Sequence, residues 1–115
     1  MARTRRIRKP YKVGEVPFPI TYTFKDDDGN AIDLTGYTAA VVFELNGVET
    51  EVAATVAPDQ VADRGEATFS WLDGDLDEPG SGSIEWWAGN GTNRIAGDTF
   101  IFRVARAVAT TAPAL

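Results

Sequence analysis

The chain has 115 residues, 43% of them hydrophobic, which is enough for one domain with a single core and little more. It has no Cys and no His, so disulfide frameworks and thiol chemistry are excluded, and the commonest general base and transition-metal ligand is missing. The net charge of −6 is unevenly spread: residues 1–12 hold six of the 11 bases and no acid, leaving five bases against 17 acids, a net of −12, on the remainder.

Residues 1–16 show no usable period. Like charges set close together oppose compact structure, and Pro10 biases Lys9 towards extended geometry, so this stretch is expected as a basic extended arm. Arg3, Arg5, Arg6, Arg8, Lys9 and Lys12 supply its charge, and Ile7, Pro10 and Tyr11 its apolar anchors. The basic start runs into Gly14-Glu15-Val16-Pro17 and not into an apolar run, so it does not read as a signal peptide. No stretch approaches the roughly 20 apolar residues of a membrane helix.

The domain is expected over 17–104. Phe18, Ile20, Tyr22 and Phe24 alternate with Pro19, Thr21, Thr23 and Lys25, the period of a strand with one buried face. Asp26-Asp27-Asp28-Gly29-Asn30 then breaks the strand, and Ile32 and Leu34 return to the core before Thr35-Gly36 turns the chain. Thr38 to Leu45 is a second strand with Ala39, Val41, Phe43 and Leu45 inward. Asn46-Gly47 marks a tight hairpin. Val48 to Val56 comes back with Val48, Thr50, Val52, Ala54 and Val56 inward, and 58–65 is loop. Glu66 to Trp71 puts Ala67, Phe69 and Trp71 on one face, and an acidic, turn-rich stretch follows to Gly82. In the strand Ser83 to Ala88, Trp86 shares a face with Ile84 and Ala88, whereas Trp87 shares the outer face with Glu85. Asn90-Gly91-Thr92 matches a glycosylation acceptor but reads as a tight turn. Asp98 to Val104 closes the sheet with Phe100, Phe102 and Val104 inward, and 105–115 is a tail without a clear period. About seven short strands with turn signals between them, and no helix of ordinary length, predict an all-β, single antiparallel sandwich of the immunoglobulin-like kind, with an extended N-terminal arm and a C-terminal tail.

The order of these pieces resembles the immunoglobulin-like domain of phage baseplate upper proteins and related small phage tail proteins. Tyr22-Thr23-Phe24, Asp28-Gly29-Asn30, Ile32-Asp33-Leu34-Thr35-Gly36, the Asp75 to Gly80 corner and Ile84-Glu85-Trp86 carry the resemblance, which spans Pro17 to Val104 and leaves out the arm and the tail. It implies a non-enzymatic virion structural protein, a small tail or baseplate component present in multiple copies in a symmetric assembly, with no cofactor. A capsid decoration protein is one alternative, and a carbohydrate-binding module using Trp87 is another of a different class.

Two acidic clusters, Asp26–Asn30 and Asp73–Glu78, are rich in oxygen ligands. Neither has the alternate-position ligands, central Gly and distant Glu of a calcium loop, so they read as turns, and no metal or catalytic site is expected. Turn carboxylates also lack the burial that an acid–base pair needs. Partner contacts are expected instead at Arg3, Arg5, Arg6, Ile7, Arg8, Lys9, Tyr11 and Lys12 of the arm, docked on an acidic surface of another virion protein. A second contact is expected on an outer apolar patch of Val42, Trp87 and Ile101, if their strands are neighbours. Nucleic acid is a second reading of the arm, although a body at −12 repels a duplex, and a nuclear-import address or incidental charge is a third. Removal of residues 1–12 is expected to weaken assembly far more than folding.

Overall fold

The computed structural model describes residues 3–109 and 111–115; residues 1 and 2 of the expected arm and residue 110 of the tail lie outside it. Its regular structure is all strand: β1 (Thr4–Arg6), β2 (Tyr11–Lys12), β3 (Ile20–Thr23), β4 (Thr38–Leu45), β5 (Val48–Val56), β6 (Glu66–Phe69), β7 (Gly80–Gly89) and β8 (Arg94–Ala105). They form one mixed sheet in the order β1-β8-β7-β4-β5-β6-β3, with β2 also beside β8. The pairings β4–β5, β4–β7, β7–β8, β5–β6 and β3–β6 are antiparallel; β1 and β2 run parallel to β8. Six strands thus belong to the body, the last running one residue past the expected boundary at 104, and two more come from the basic arm.

The centre follows from alternation. Ala39, Val41, Phe43 and Leu45 of β4 are buried, as are Ile84, Trp86 and Ala88 of β7. The register sets Val41 opposite Trp86 and Phe43 opposite Ile84, so both strands turn their apolar sets to the same side. Asn46 at φ 53° and Gly47 at φ 86° make the tight β4–β5 connection, a turn that needs two left-handed residues. β5 first pairs with β4 and then passes its last residues, Thr55 and Val56, to β6. That transfer curls the sheet over on itself, sandwich-like, and encloses the core.

Trp86, Phe24, Phe69, Leu34, Leu76, Ile84 and Val41 are the largest fully buried side chains, each contributing about 1.5–3 kcal/mol of apolar burial. Tyr22 stacks on Trp86 at 5.2 Å between ring centroids, and Trp71 meets Phe43, Phe69 and Phe102 edge-on. Trp71 and Trp86 are buried and Trp87 is half-buried on the outer face, which is the register expected from the sequence. Gln60 ties a loop to this core: its Oε1 accepts from the amides of Leu34 and Gly65, both at 2.9 Å, and its Nε2 donates to the Ala57 carbonyl at 2.8 Å.

Two expectations of burial are corrected. Phe18 is 92% exposed, because β6 ends at Phe69 opposite Ile20 and nothing continues the pairing as far as Phe18. Val48 is 69% exposed and Thr50 is also exposed. The first half of β5 pairs with β4 alone, and the acidic turn at 74–78 stands off from it across an open groove of about 270 Å³.

Candidate interaction surface

The candidate surface is the edge where the basic arm lies along β8. Thr4, Arg5 and Arg6 are opposite Thr99, Phe100 and Ile101, and Tyr11 and Lys12 are opposite Val104 and Ala105. The arm is therefore held by its own domain's sheet, and the Ile7 amide adds a bond to the Ile101 carbonyl at 2.8 Å.

A bulge in β8 prepares this edge. Glu85 is opposite Thr99 but Trp87 is opposite Ala96, so β8 has one residue more than β7 across this interval. Gly97 occupies the bulge, where a Cβ would come within 2.6 Å of the Tyr22 ring and 3.0 Å of the Trp86 Cβ. The extra residue puts Asp98 inward as well, and it is only 4% exposed. Its Oδ1 accepts the Arg3 amide at 2.8 Å, and its Oδ2 accepts Arg5 Nε at 2.7 Å. Its own amide donates to the Tyr22 hydroxyl at 2.9 Å. The Arg5 guanidinium lies 5.6 Å from the Phe100 ring centroid and 5.9 Å from that of Tyr22, within range of a cation–π attraction. Burial raises the Tyr22 phenol above its usual pKa.

Tyr11 anchors the second half of the arm, edge-on to Trp71 at 5.3 Å and to Phe102 at 5.6 Å. Burial raises its phenol too, with Glu15 adding in the same direction. Ile7 and Val13 pack against the same core. Of the arm's cations, Arg5 is engaged within the chain. The exposed side chains of Arg3, Arg6, Arg8, Lys9 and Lys12 make no ion pair among the described residues.

Val42, Trp87 and Ile101 lie on the outer faces of β4, β7 and β8, which are neighbours, and all three are half-buried. They do not form one patch. Val42 is opposite Glu85, two residues from Trp87, so these two are diagonal neighbours. The Trp87 indole N–H donates to Glu85 Oε1 at 2.7 Å, which puts a carboxylate between them and Ile101. Ile101 instead lies in a groove of about 500 Å³ with Thr4, Arg6, Glu44 and Arg103.

The acidic clusters are occupied with turn chemistry. Asp26 Oδ1 accepts the amides of Asp28 and Asn30, and Asp75 Oδ2 accepts that of Leu72. Asn90 Oδ1 likewise accepts the amides of Thr92 and Asn93. Among the described residues no three carboxylates converge on a position that could hold a metal ion, and no helix is long and apolar enough to cross a membrane.

The sequence reading passed over Asp98, Glu85 and Arg103. For Asp98 a signal existed, since a Gly inside an alternating strand marks a bulge or a close approach of backbone, and Gly97 precedes it. No known protein-family model matches the chain, and no curated protein does.

Proposed function

We propose that the chain is a non-enzymatic structural protein of a bacteriophage virion, a small tail or baseplate component built on an immunoglobulin-like sandwich. The observation that carries this reading is the order of its turns and strands: Asp28-Gly29-Asn30, Ile32 to Gly36, the Asp75 to Gly80 corner and the aromatic strand around Trp86, all on one all-β chain. The strand order supports it. β8-β7-β4-β5 and β6-β3 have the pairing of G-F-C-C′ and E-B strands, with no strand D among the described residues and β5 bridging the two groups. The arm's exposed cations on an otherwise acidic chain suit contact with acidic surfaces of other virion proteins. Many copies in a symmetric assembly would multiply such weak contacts.

The test is to label the full-length chain in its source phage and image purified particles. Label at the tail or baseplate in several copies is the expected result. Label on the capsid shell would make it a decoration protein, and particles without the chain would sink the reading. Deleting residues 1–12 is not the right loss-of-contact variant, because it strips β1 and β2 from the sheet and uncovers Phe102 and Trp71. Substituting Arg8, Lys9 and Lys12 with Gln keeps the pairing and removes only charge.

A further inference from the structure

Between β1 and β2 the arm leaves the sheet. From Arg6 to Tyr11 it takes five residue steps, while β8 takes three from Ile101 to Val104, so the arm has two residues to spare. That slack falls at residues 8–10, beyond the Ile7 amide that still bonds to Ile101, and a cleft of about 320 Å³ lies there against β8. It is lined by Arg6, Arg8 and Arg103, with Ile7, Pro10 and Phe102 beside them. No acid lines it, although the chain has 17, and none of the three guanidiniums has an ion-pair or hydrogen-bond partner among the described residues. One carboxylate, Glu44, lines the groove that continues from it past Arg6 and Arg103.

We propose that this three-arginine cleft is a binding site for an acidic peptide segment of a neighbouring protein, whose carboxylates pair with Arg6, Arg8 and Arg103 while an apolar side chain packs on Ile7, Pro10 and Phe102. Guanidinium forks match carboxylates in bidentate geometry, and three like charges around one cleft repel one another until an anion joins them. The volume takes one or two side chains, not a run of phosphates, and this favours a short peptide. The net −12 on the rest of the chain opposes any anion, but it opposes a duplex, with a charge about every 1.7 Å of its axis, more than a peptide of a few carboxylates. Arg103 comes from β8 and the other two arginines from the arm, so the site exists only while the arm is seated.

The partner's identity as a virion protein rests on the function proposed above, but the cleft can be tested without it. The probe is the acetylated, amidated peptide Leu-Asp-Gly-Asp-Leu-Asp-Glu, titrated into the full chain at low salt and followed by calorimetry and amide NMR shifts. A version with Asn and Gln in place of the acids is the control, and a 20-base-pair duplex is the competitor. The acidic peptide is expected to bind and to shift the amides of residues 6–9 and 102–105. Arg8→Gln or Arg103→Gln should each weaken it by about tenfold, the size of one charge-assisted contact, whereas Arg94→Gln, a control outside the cleft, should leave it within about twofold. Unchanged amide dispersion in the two cleft variants separates lost binding from lost folding. Three results would each overturn the proposal: no binding of the acidic peptide, equal binding of the amide control, or a duplex that binds these arginines more tightly than the peptide does. Label absent from phage particles together with intact peptide binding would reject the virion reading and leave the cleft standing.

Discussion

β4 and β1 are both extended strands, yet they are held in place by opposite means. β4 has a neighbour on each side and buries every second residue, so its own alternation fixes its register. β1 lies at the sheet edge with all three residues exposed, and its sequence, Thr-Arg-Arg, has no apolar side to bury. Asp98, more than 90 positions away, supplies what its sequence lacks, by accepting from the Arg3 amide and the Arg5 side chain. A central strand is thus specified by packing. An edge strand of this kind is specified by one buried carboxylate, and its stability is exposed to a single substitution.

The widest gap between the two regimes should appear at the centre. Trp86→Ala removes a fully buried ring that stacks on Tyr22, and is expected to cost about 3–5 kcal/mol in urea unfolding. Trp87→Ala, on the next residue and the outer face, loses partial burial and the bond to Glu85 and should cost about 1 kcal/mol. Equal costs would mean that the strand does not have the register described here.

Arg5→Ala is the next largest and tests the edge. It leaves the Asp98 carboxylate, 4% exposed, with the Arg3 amide as its remaining donor among the described residues, at an expected cost of about 2–4 kcal/mol. Amide exchange should then speed up at residues 4–7 well before it does in β4, because the arm can detach while the centre stays folded. If both regions open together, the arm is part of the cooperative core and the contrast between them fails.

How much of this could be read from the sequence divides along the same line. β4, the Asn46-Gly47 turn and the inward set of β7 announce themselves through period 2 and positive φ, both local properties. Phe18 follows the same alternation and is nonetheless exposed, because burial also needs a partner strand, and β6 stops two pairs short. The arm's charge was legible and its seat was not, since no pattern within 1–16 refers to Asp98. The apolar patch failed for a related reason. The strands are neighbours, the condition set for the patch, but the position of Glu85 between Trp87 and Ile101 depends on cross-strand register.

Gly97→Ala should have a smaller effect, and it joins the two regions. The new Cβ would meet the Tyr22 ring at 2.6 Å and Trp86 Cβ at 3.0 Å, neither of which is the end of a flexible chain. A cost of about 1–3 kcal/mol is expected from the forced shift. Because the same bulge orients Asp98, the arm's amides should also lose exchange protection. A purely local loss, with β1 still protected, would show that the bulge does not govern the latch.

The smallest expected effect is confined to alkaline pH. The Tyr22 phenol has its pKa raised above 10.0, first by burial and then by the nearby Asp98 carboxylate, partly offset by the amide of Asp98 and the charge of Arg5. A group with a raised folded pKa holds its proton more tightly in the native state. Its contribution is therefore complete below the unfolded value near 10.0 and is lost as pH rises through the folded value. Stability should be flat in this respect up to about pH 10 and should then fall. Tyr11 shifts in the same direction, so the fall has two sources. Tyr22→Phe removes one of them, and also the acceptor of the Asp98 amide, which lowers stability at neutral pH by about 1 kcal/mol. Plotted against pH, the variant should start lower and decline less steeply above pH 10, so that the two curves converge. Tyr11→Phe should flatten the decline without the neutral-pH loss, since no hydrogen bond from its hydroxyl is found among the described residues. Parallel curves for wild type and Tyr22→Phe would mean that the phenol ionises as freely in the folded chain as in the unfolded one. The Tyr22–Asp98 contact beneath the arm would then be open to water.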